Sequence, residues 1–159
     1  MKKTLLSLAI ASLAAGQSVC AAVEKVYNEP DSVYIFSYAH PEDEGRSGLK
    51  FALSPDGDKW LSVSDGFAYL KCDFGRWGAE KRMIKPLLEK AEDGRWYCRW
   101  QLTPSGKVWG TSHSSDLLKW APQQYVNAEK PAVPRLVTAR QIVLDKDTLN
   151  GYMLKVPYA

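Results

Sequence analysis

Two stretches, Ser54-Pro55-Asp56-Gly57-Asp58-Lys59-Trp60 and Ser114-Ser115-Asp116-Leu117-Leu118-Lys119-Trp120, carry Ser, Asp, Lys and Trp at matching positions, 60 residues apart. Self-similarity at a fixed offset is the mark of a repeated supersecondary unit. Each copy follows a strand-like run (Leu49–Leu53, Val108–Ser112) and precedes another (Leu61–Ser64, Ala121–Val126). Ser and Asp before a tight turn bond the backbone two or three residues on, and the Trp beyond the turn is placed to pack between sheets.

Working outward, a second element precedes each turn. Asp31-Ser32-Val33-Tyr34-Ile35-Phe36-Ser37-Tyr38 matches Asp93-Gly94-Arg95-Trp96-Tyr97-Cys98-Arg99-Trp100 in turn chemistry and aromatic placement. A weaker third copy runs from Asp147 through Asn150-Gly151-Tyr152-Met153-Leu154-Lys155-Val156, making Tyr34, Tyr97 and Tyr152 equivalent. Asp, Asn and Gly supply turns, and the aromatic and β-branched residues after them favour strands. No stretch after the first 21 residues combines a 3.6-residue apolar period with caps. The one helix-like candidate, Ala79–Leu88, is interrupted by Pro86. The expectation is an all-β chain of repeating units of roughly four short strands, the content of propeller blades.

Composition agrees with a folded domain. The 159 residues are 45% hydrophobic and 25% charged, which excludes disordered, collagenous and coiled-coil chains. Aromatics reach 11%, with six Trp and eight Tyr, a bias that favours ligand contact as well as core. At the start, Lys2 and Lys3 precede the apolar run Leu5–Ala15, and small residues close it at Val19-Cys20-Ala21. This pattern reads as a signal peptide over residues 1–21 and an exported protein, periplasmic or extracellular. The run falls short of the roughly 20 residues needed to span a bilayer. Acylation at Cys20 is the alternative. Removing the signal takes the net charge from +3 to +1, with the remaining charges interspersed. No basic block offers nucleic acid an electrostatic footprint.

Cys72 and Cys98 are then an even pair in an oxidising compartment, a candidate disulfide. Two thiols without nearby histidines make no zinc site, and His40 and His113 stand far apart. No metal or cofactor is expected.

The sequence Tyr34-Ile35-Phe36-Ser37-Tyr38, the run Leu49–Ser54, Trp60, and Trp109–Trp120 together resemble the five-bladed β-propeller glycoside hydrolases of family 43 and their relatives in families 32 and 62, over about residues 27–156. In that family Ser-Ser-x-Asp-Leu-x-x-Trp closes a blade, and Ser114–Trp120 resembles it with one residue fewer between Ser115 and Asp116. The resemblance implies a partial propeller over residues 22–159: blade one at about 27–70, blade two at about 76–126, and the start of a third at 135–159. A small β-sandwich is the alternative. About 138 residues after the signal hold about 2.3 units of a period near 60, whereas propellers usually have four to eight blades. The core is therefore expected to be completed by missing blades, another polypeptide or self-association.

The family hydrolyses glycosidic bonds with a carboxylate base and a carboxylic acid on opposite sides of the bond, joined by an Asp that tunes the acid. Carried over, the base position falls near Val26-Tyr27-Asn28, which holds no Asp; Glu24 and Glu29 are out of register. The blade-two position reads Arg82-Met83-Ile84-Lys85-Pro86, with Lys85 where the family has aspartate. The third-blade Glu has no counterpart. What remains is Phe74-Gly75-Arg76-Trp77-Gly78-Ala79-Glu80-Lys81-Arg82, in which Trp77 is suited to stack on a sugar ring while Arg76, Glu80 and Arg82 bond hydroxyls or a uronic carboxylate. Glu80 is the candidate catalytic acid. Trp100, which shares a strand face with Trp96, and His113 are further candidate substrate contacts; core packing and a satisfied turn are their alternatives.

The expectation is a glycoside-hydrolase-like module for polysaccharide processing, of arabinofuranosidase or xylosidase type and hydrolytic only if completed. The alternative is a non-catalytic carbohydrate-binding or interaction module.

Overall fold

The computed structural model describes residues 31–158. The signal-peptide, Cys20, Glu24 and Val26–Glu29 expectations fall outside them. Residues Ser32–Pro157 form one compact unit. It is all-β, with nine strands and a single short 3-10 turn among the described residues: β1 (Ser32–Tyr38), β2 (Lys50–Ser54), β3 (Leu61–Ser62), β4 (Ile84–Lys90), β5 (Trp96–Gln101), β6 (Val108–Ser114), β7 (Gln124–Asn127), β8 (Val137–Leu144) and β9 (Asp147–Pro157).

The strands make two open antiparallel sheets, ordered β3-β2-β1-β9-β8 and β4-β5-β6-β7. Sheet neighbours are chain neighbours throughout, with one exception. The last strand returns to the first, pairing Ser32 with Pro157 through to Ser37 with Tyr152. Residues 135–159, set apart by sequence as a third unit, thus hold the β8–β9 hairpin, hydrogen-bonded into the sheet of β1. Its two-residue turn, Asp145-Lys146, has both residues left-handed (φ 51° and 76°), as a twist-matched hairpin turn requires.

The matched turns share their main hydrogen bonds, and the second adds one from Asp116 N to Ser114 Oγ at 3.2 Å. Ser54 Oγ accepts from Gly57 N at 2.8 Å and Ser114 Oγ from Leu117 N at 2.9 Å. Asp56 Oδ1 takes the N–H groups of Asp58 and Lys59, as Asp116 Oδ1 takes those of Leu118 and Lys119. Gly57 (φ 83°) and Leu117 (φ 64°) occupy the same left-handed corner.

Period two then sorts the side chains. Ile35, Phe51, Tyr152, Leu154 and Val156 of the first sheet meet Leu87, Leu88, Trp96, Cys98 and Trp100 of the second in one core. The other face of the first sheet carries its own cluster, Phe36, Tyr38, Ala52, Ile142, Leu144 and Leu149, with Trp60 packed against it. Each fully buried large side chain contributes roughly 1.5–3 kcal/mol. Gly110 makes room for the buried Trp100: a Cβ at Gly110 would lie inside the indole. A buried hydroxyl stitches the sheets together, since Ser37 Oγ lies 3.1 Å from Pro86 O and 3.3 Å from Tyr152 O.

The helix-like candidate Ala79–Leu88 is instead a 3-10 turn, Gly78–Glu80, running into β4. Pro86, which has no N–H to donate, sits in β4 at the sheet edge, where that loss is tolerated. The register jumps from Ile84↔Gln101 to Leu87↔Arg99, so one extra residue bulges out. Lys85 occupies that bulge with φ 49°.

The expected disulfide is absent. Cys72 and Cys98 are separate, buried free thiols. Cys98 is wholly inside the core, and burial pushes its thiol upward. Cys72 Sγ instead lies 3.6 Å from Tyr125 Oη.

Candidate functional site

The segment Phe74–Arg82 stands between β3 and β4 as a loop whose backbone bonds are supplied locally. Glu80 Oε2 accepts from Arg76 N at 2.9 Å and from Trp77 N at 3.1 Å. Gly75 (φ 76°) lies so close that a Cβ would collide with the Glu80 carboxylate. The sequence nominated Glu80 as an acid; the structure engages its carboxylate as a clasp on the loop backbone.

Arg82 closes the other end. Its Nε donates to Ala79 O at 2.9 Å, and its guanidinium meets Glu44 Oε2 at 3.0 Å, a carboxylate shared with Arg46 at 2.7 Å. The loop carrying Glu44 is itself held by Asp43, which accepts from Gly45 N and Ser47 N at 2.9 and 2.8 Å. At the entry to the Trp77 loop, Asp73 N donates to Gln123 Oε1 at 3.1 Å and Gln123 Nε2 to Lys71 O at 2.7 Å. Tyr125 Oη donates to Asp73 Oδ1 at 2.5 Å, and the Phe74 ring packs 4.8 Å from that of Tyr125. Burial first, and the bond to Asp73 second, push the Tyr125 hydroxyl well above its ordinary pKa, so it stays a donor. Asp73, Gln123, Tyr125 and Glu44 had no signal in the sequence, because their partners lie about 40–50 residues away along the chain.

Between these two anchors Trp77 is 71% exposed. A tied loop with an exposed indole at its tip presents a large apolar face at small ordering cost. Arg76 beside it is exposed too. Arg76, Trp77, Glu80 and Arg82 are therefore brought together, two facing solvent and two holding the loop.

The remaining sequence candidates lie elsewhere. Trp100 is fully buried on the core face of β5, edge-on to Tyr125 at 6.2 Å, and cannot serve as a sugar platform. His113 is on the opposite face of the second sheet, cross-strand from Tyr97, with ring centroids 5.6 Å apart. Tyr97 Oη donates to Asp93 Oδ2 at 3.1 Å. The bond from Arg95 N, then those of Tyr97 and the charges of Arg95 and His113, hold the Asp93 carboxyl below the usual range. Arg99 on that face pairs with Glu89.

Among the described residues no group of three or more His, Cys, Asp or Glu side chains is arranged to hold a metal ion, and no helix is long and apolar enough to cross a membrane. Comparison of the chain with family models, with curated proteins and with solved structures found no match.

Proposed function

We propose that this chain is an exported, non-catalytic carbohydrate-binding module that takes neutral sugar rings on Trp77. The observation that carries the reading is an indole 71% exposed at the tip of a loop hydrogen-bonded on both sides. Sugar rings present axial C–H groups that pack on an indole face, and Arg76 supplies planar donors beside it. Export rests on Lys2, Lys3 and the apolar run that follows them.

The hydrolase reading needs two free carboxylates across a bond. Glu80 is committed to the loop backbone, and Lys85 stands where the family has an aspartate. Two sheets sharing one core, with the chain returning to β1, favour a small β-sandwich over a fragment of a propeller.

The test is a titration of the full chain with neutral xylan- and arabinan-derived oligosaccharides, read by tryptophan fluorescence and calorimetry. Trp77→Ala is expected to weaken binding about tenfold, equivalent to about 1.4 kcal/mol. Unchanged affinity in Trp77→Ala sinks the reading, as does turnover of aryl glycosides by the wild type.

A further inference from the structure

We infer that a cleft centred on Lys85 and Lys130 is a binding site for an oxyanion carried on a polyhydroxylated ligand, an acidic oligosaccharide. This deepens the carbohydrate-binding reading and rests on it. The cleft consists of two adjoining cavities of about 730 and 520 Å³, both lined by Lys85 and Lys130. That size matches pockets that hold small ligands. The first is bounded by the turn after β5 and the segment after β7, with Gln101, Lys107 and Asn127 on its wall. The second is bounded by the β8–β9 hairpin, with Gln141, Asn150 and Tyr152.

Three features point to a ligand. Lys85, Lys107 and Lys130 are all exposed, and no ion pair among the described residues engages any of them. One carboxylate, Glu129, lines the larger cavity against three ammonium groups.

The second feature is the backbone at Lys85. It is left-handed at φ 49°, inside a strand and immediately before a proline. That combination disfavours any side chain, and glycine is the residue that accepts it cheaply. A lysine here puts an ammonium where the two cavities join, at the cost of backbone strain. Strain of this kind concentrates at ligand clamps.

The third feature is the rest of the wall. Gln101, Asn127, Gln141 and Asn150 contribute carboxamides, which donate to and accept from hydroxyls. Gln141 Nε2 donates to Asn150 Oδ1 at 3.2 Å, which leaves the Asn150 amide nitrogen as a donor. Ammonium groups recognise charge as points without fixed planar geometry, and amides recognise hydroxyls. A sugar bearing a carboxylate satisfies both, and a bare phosphate only the first.

The experiment titrates the full chain with an oligogalacturonate, with its fully methyl-esterified counterpart, and with inorganic phosphate, at 50 and 500 mM NaCl. The acidic oligosaccharide is expected to bind at least tenfold more tightly than the ester at low salt, with most of the preference lost at high salt. The double variant Lys85→Gln/Lys130→Gln should lose that tenfold while binding the ester as the wild type does. Both lysines are exposed, and a circular-dichroism melt confirms that the variant is folded. Equal affinity for acid and ester, or an unchanged preference in the double variant, overturns the inference. Phosphate binding as tightly as the oligosaccharide overturns it too, leaving a simple anion site. Trp77→Ala separates the two claims. If it loses the ester but the lysine variant changes nothing, the cleft inference alone fails; if it changes nothing while the lysine variant loses the acid, the Trp77 reading alone fails.

Discussion

Replacing Lys85 by glycine should make the protein more stable and a poorer binder of acidic sugars. A left-handed conformation costs a residue with a Cβ about 1–2 kcal/mol, and Lys85 holds φ 49°. Glycine removes that cost but adds freedom to the unfolded chain, which takes back about 0.4–1 kcal/mol. The net gain is about 0.5–1 kcal/mol. For a domain of this size each kcal/mol moves Tm by about 2–4 °C, so the melt should rise by about 1–4 °C. Lys85→Ala is the control, because it removes the ammonium and keeps the Cβ in the bulge. Its Tm should stay within about 2 °C of wild type, as for a surface change worth at most about 0.5 kcal/mol. Differential scanning calorimetry of the three proteins in one buffer reads the difference, and oligogalacturonate titration reads the function. Both variants should lose acidic-ligand affinity alike. If Lys85→Gly melts no higher than Lys85→Ala, the bulge is not strained and the argument from strain to site collapses.

Gly110→Ala pushes a methyl into the buried Trp100 indole. Overpacking of this sort costs about 1–3 kcal/mol, and a second change, Trp100→Phe, should recover part of the lost Tm; a neutral Gly110→Ala would refute the packing. Backbone N–H bonds from Lys59 and Asp58 hold the Asp56 carboxyl down to about 2, and those from Lys119 and Leu118 lower Asp116 in the same way. Depressed carboxylates stabilise the fold above their ordinary pKa near 3.8 and cease to as pH falls through their folded values. Tm should therefore fall between pH 4 and about 2, and Asp56→Asn/Asp116→Asn should flatten that limb, leaving a residue from Asp93; an equally steep fall in the double variant argues against these turns as its source. Cys72 and Cys98, both buried and unpaired, should resist an aromatic disulfide reagent in the native state and react once the chain is unfolded in guanidinium; rapid native reaction contradicts their burial.

What was legible in the sequence was what is decided within a few residues. The Ser-x-Asp turns could be read because a side chain bonding the backbone two or three residues on depends on local sequence alone. Trp96 and Trp100 could be placed on one face because strand period is two, although not which face would meet solvent. The core alternative won, because Gly110 opposite Trp100 leaves a space of indole size. In the Ala79–Leu88 segment Pro86 argued against a helix, but its place in an edge strand depends on sheet order, which local sequence does not carry. The return of β9 to β1 had no local signal, since its partners lie about 115–125 residues apart. In the candidate site, Arg76, Trp77, Glu80 and Arg82 were found by density of chemistry in nine residues. The role of Glu80 was not, because nothing in the sequence says whether a carboxylate will be spent on its own loop. The Lys85 cleft draws on β4, the turn after β5, the segment after β7 and the β8–β9 hairpin. Sequence singled out only Lys85, as the residue standing where the resembled family has aspartate.

The two matched turns also show why a repeat in sequence need not be a repeat in packing. Trp60 and Trp120 leave closely matching turns, yet Trp60 packs 5.5 Å from Phe36 in the cluster on the outer face of the first sheet. Trp120 packs against the shared core and donates Nε1–H to Leu117 O at 3.2 Å. The difference comes from the β8–β9 hairpin, which brings Ile142, Leu144 and Leu149 onto the face that Phe36 presents. At β1 and β2 the first sheet is thus buried on both sides, while Ala139, Gln141 and Val143 of β8 stay exposed. The second keeps one face for the core, while Tyr97, Arg99, Thr111 and His113 on the other remain partly exposed. The Lys85 cleft lies where the exposed face of the β8–β9 hairpin meets the bulged edge of β4. Shortening the hairpin would expose Phe36 and Ala52 and remove Gln141 and Asn150 from the cleft in the same stroke, which ties binding of acidic ligand to integrity of the outer cluster.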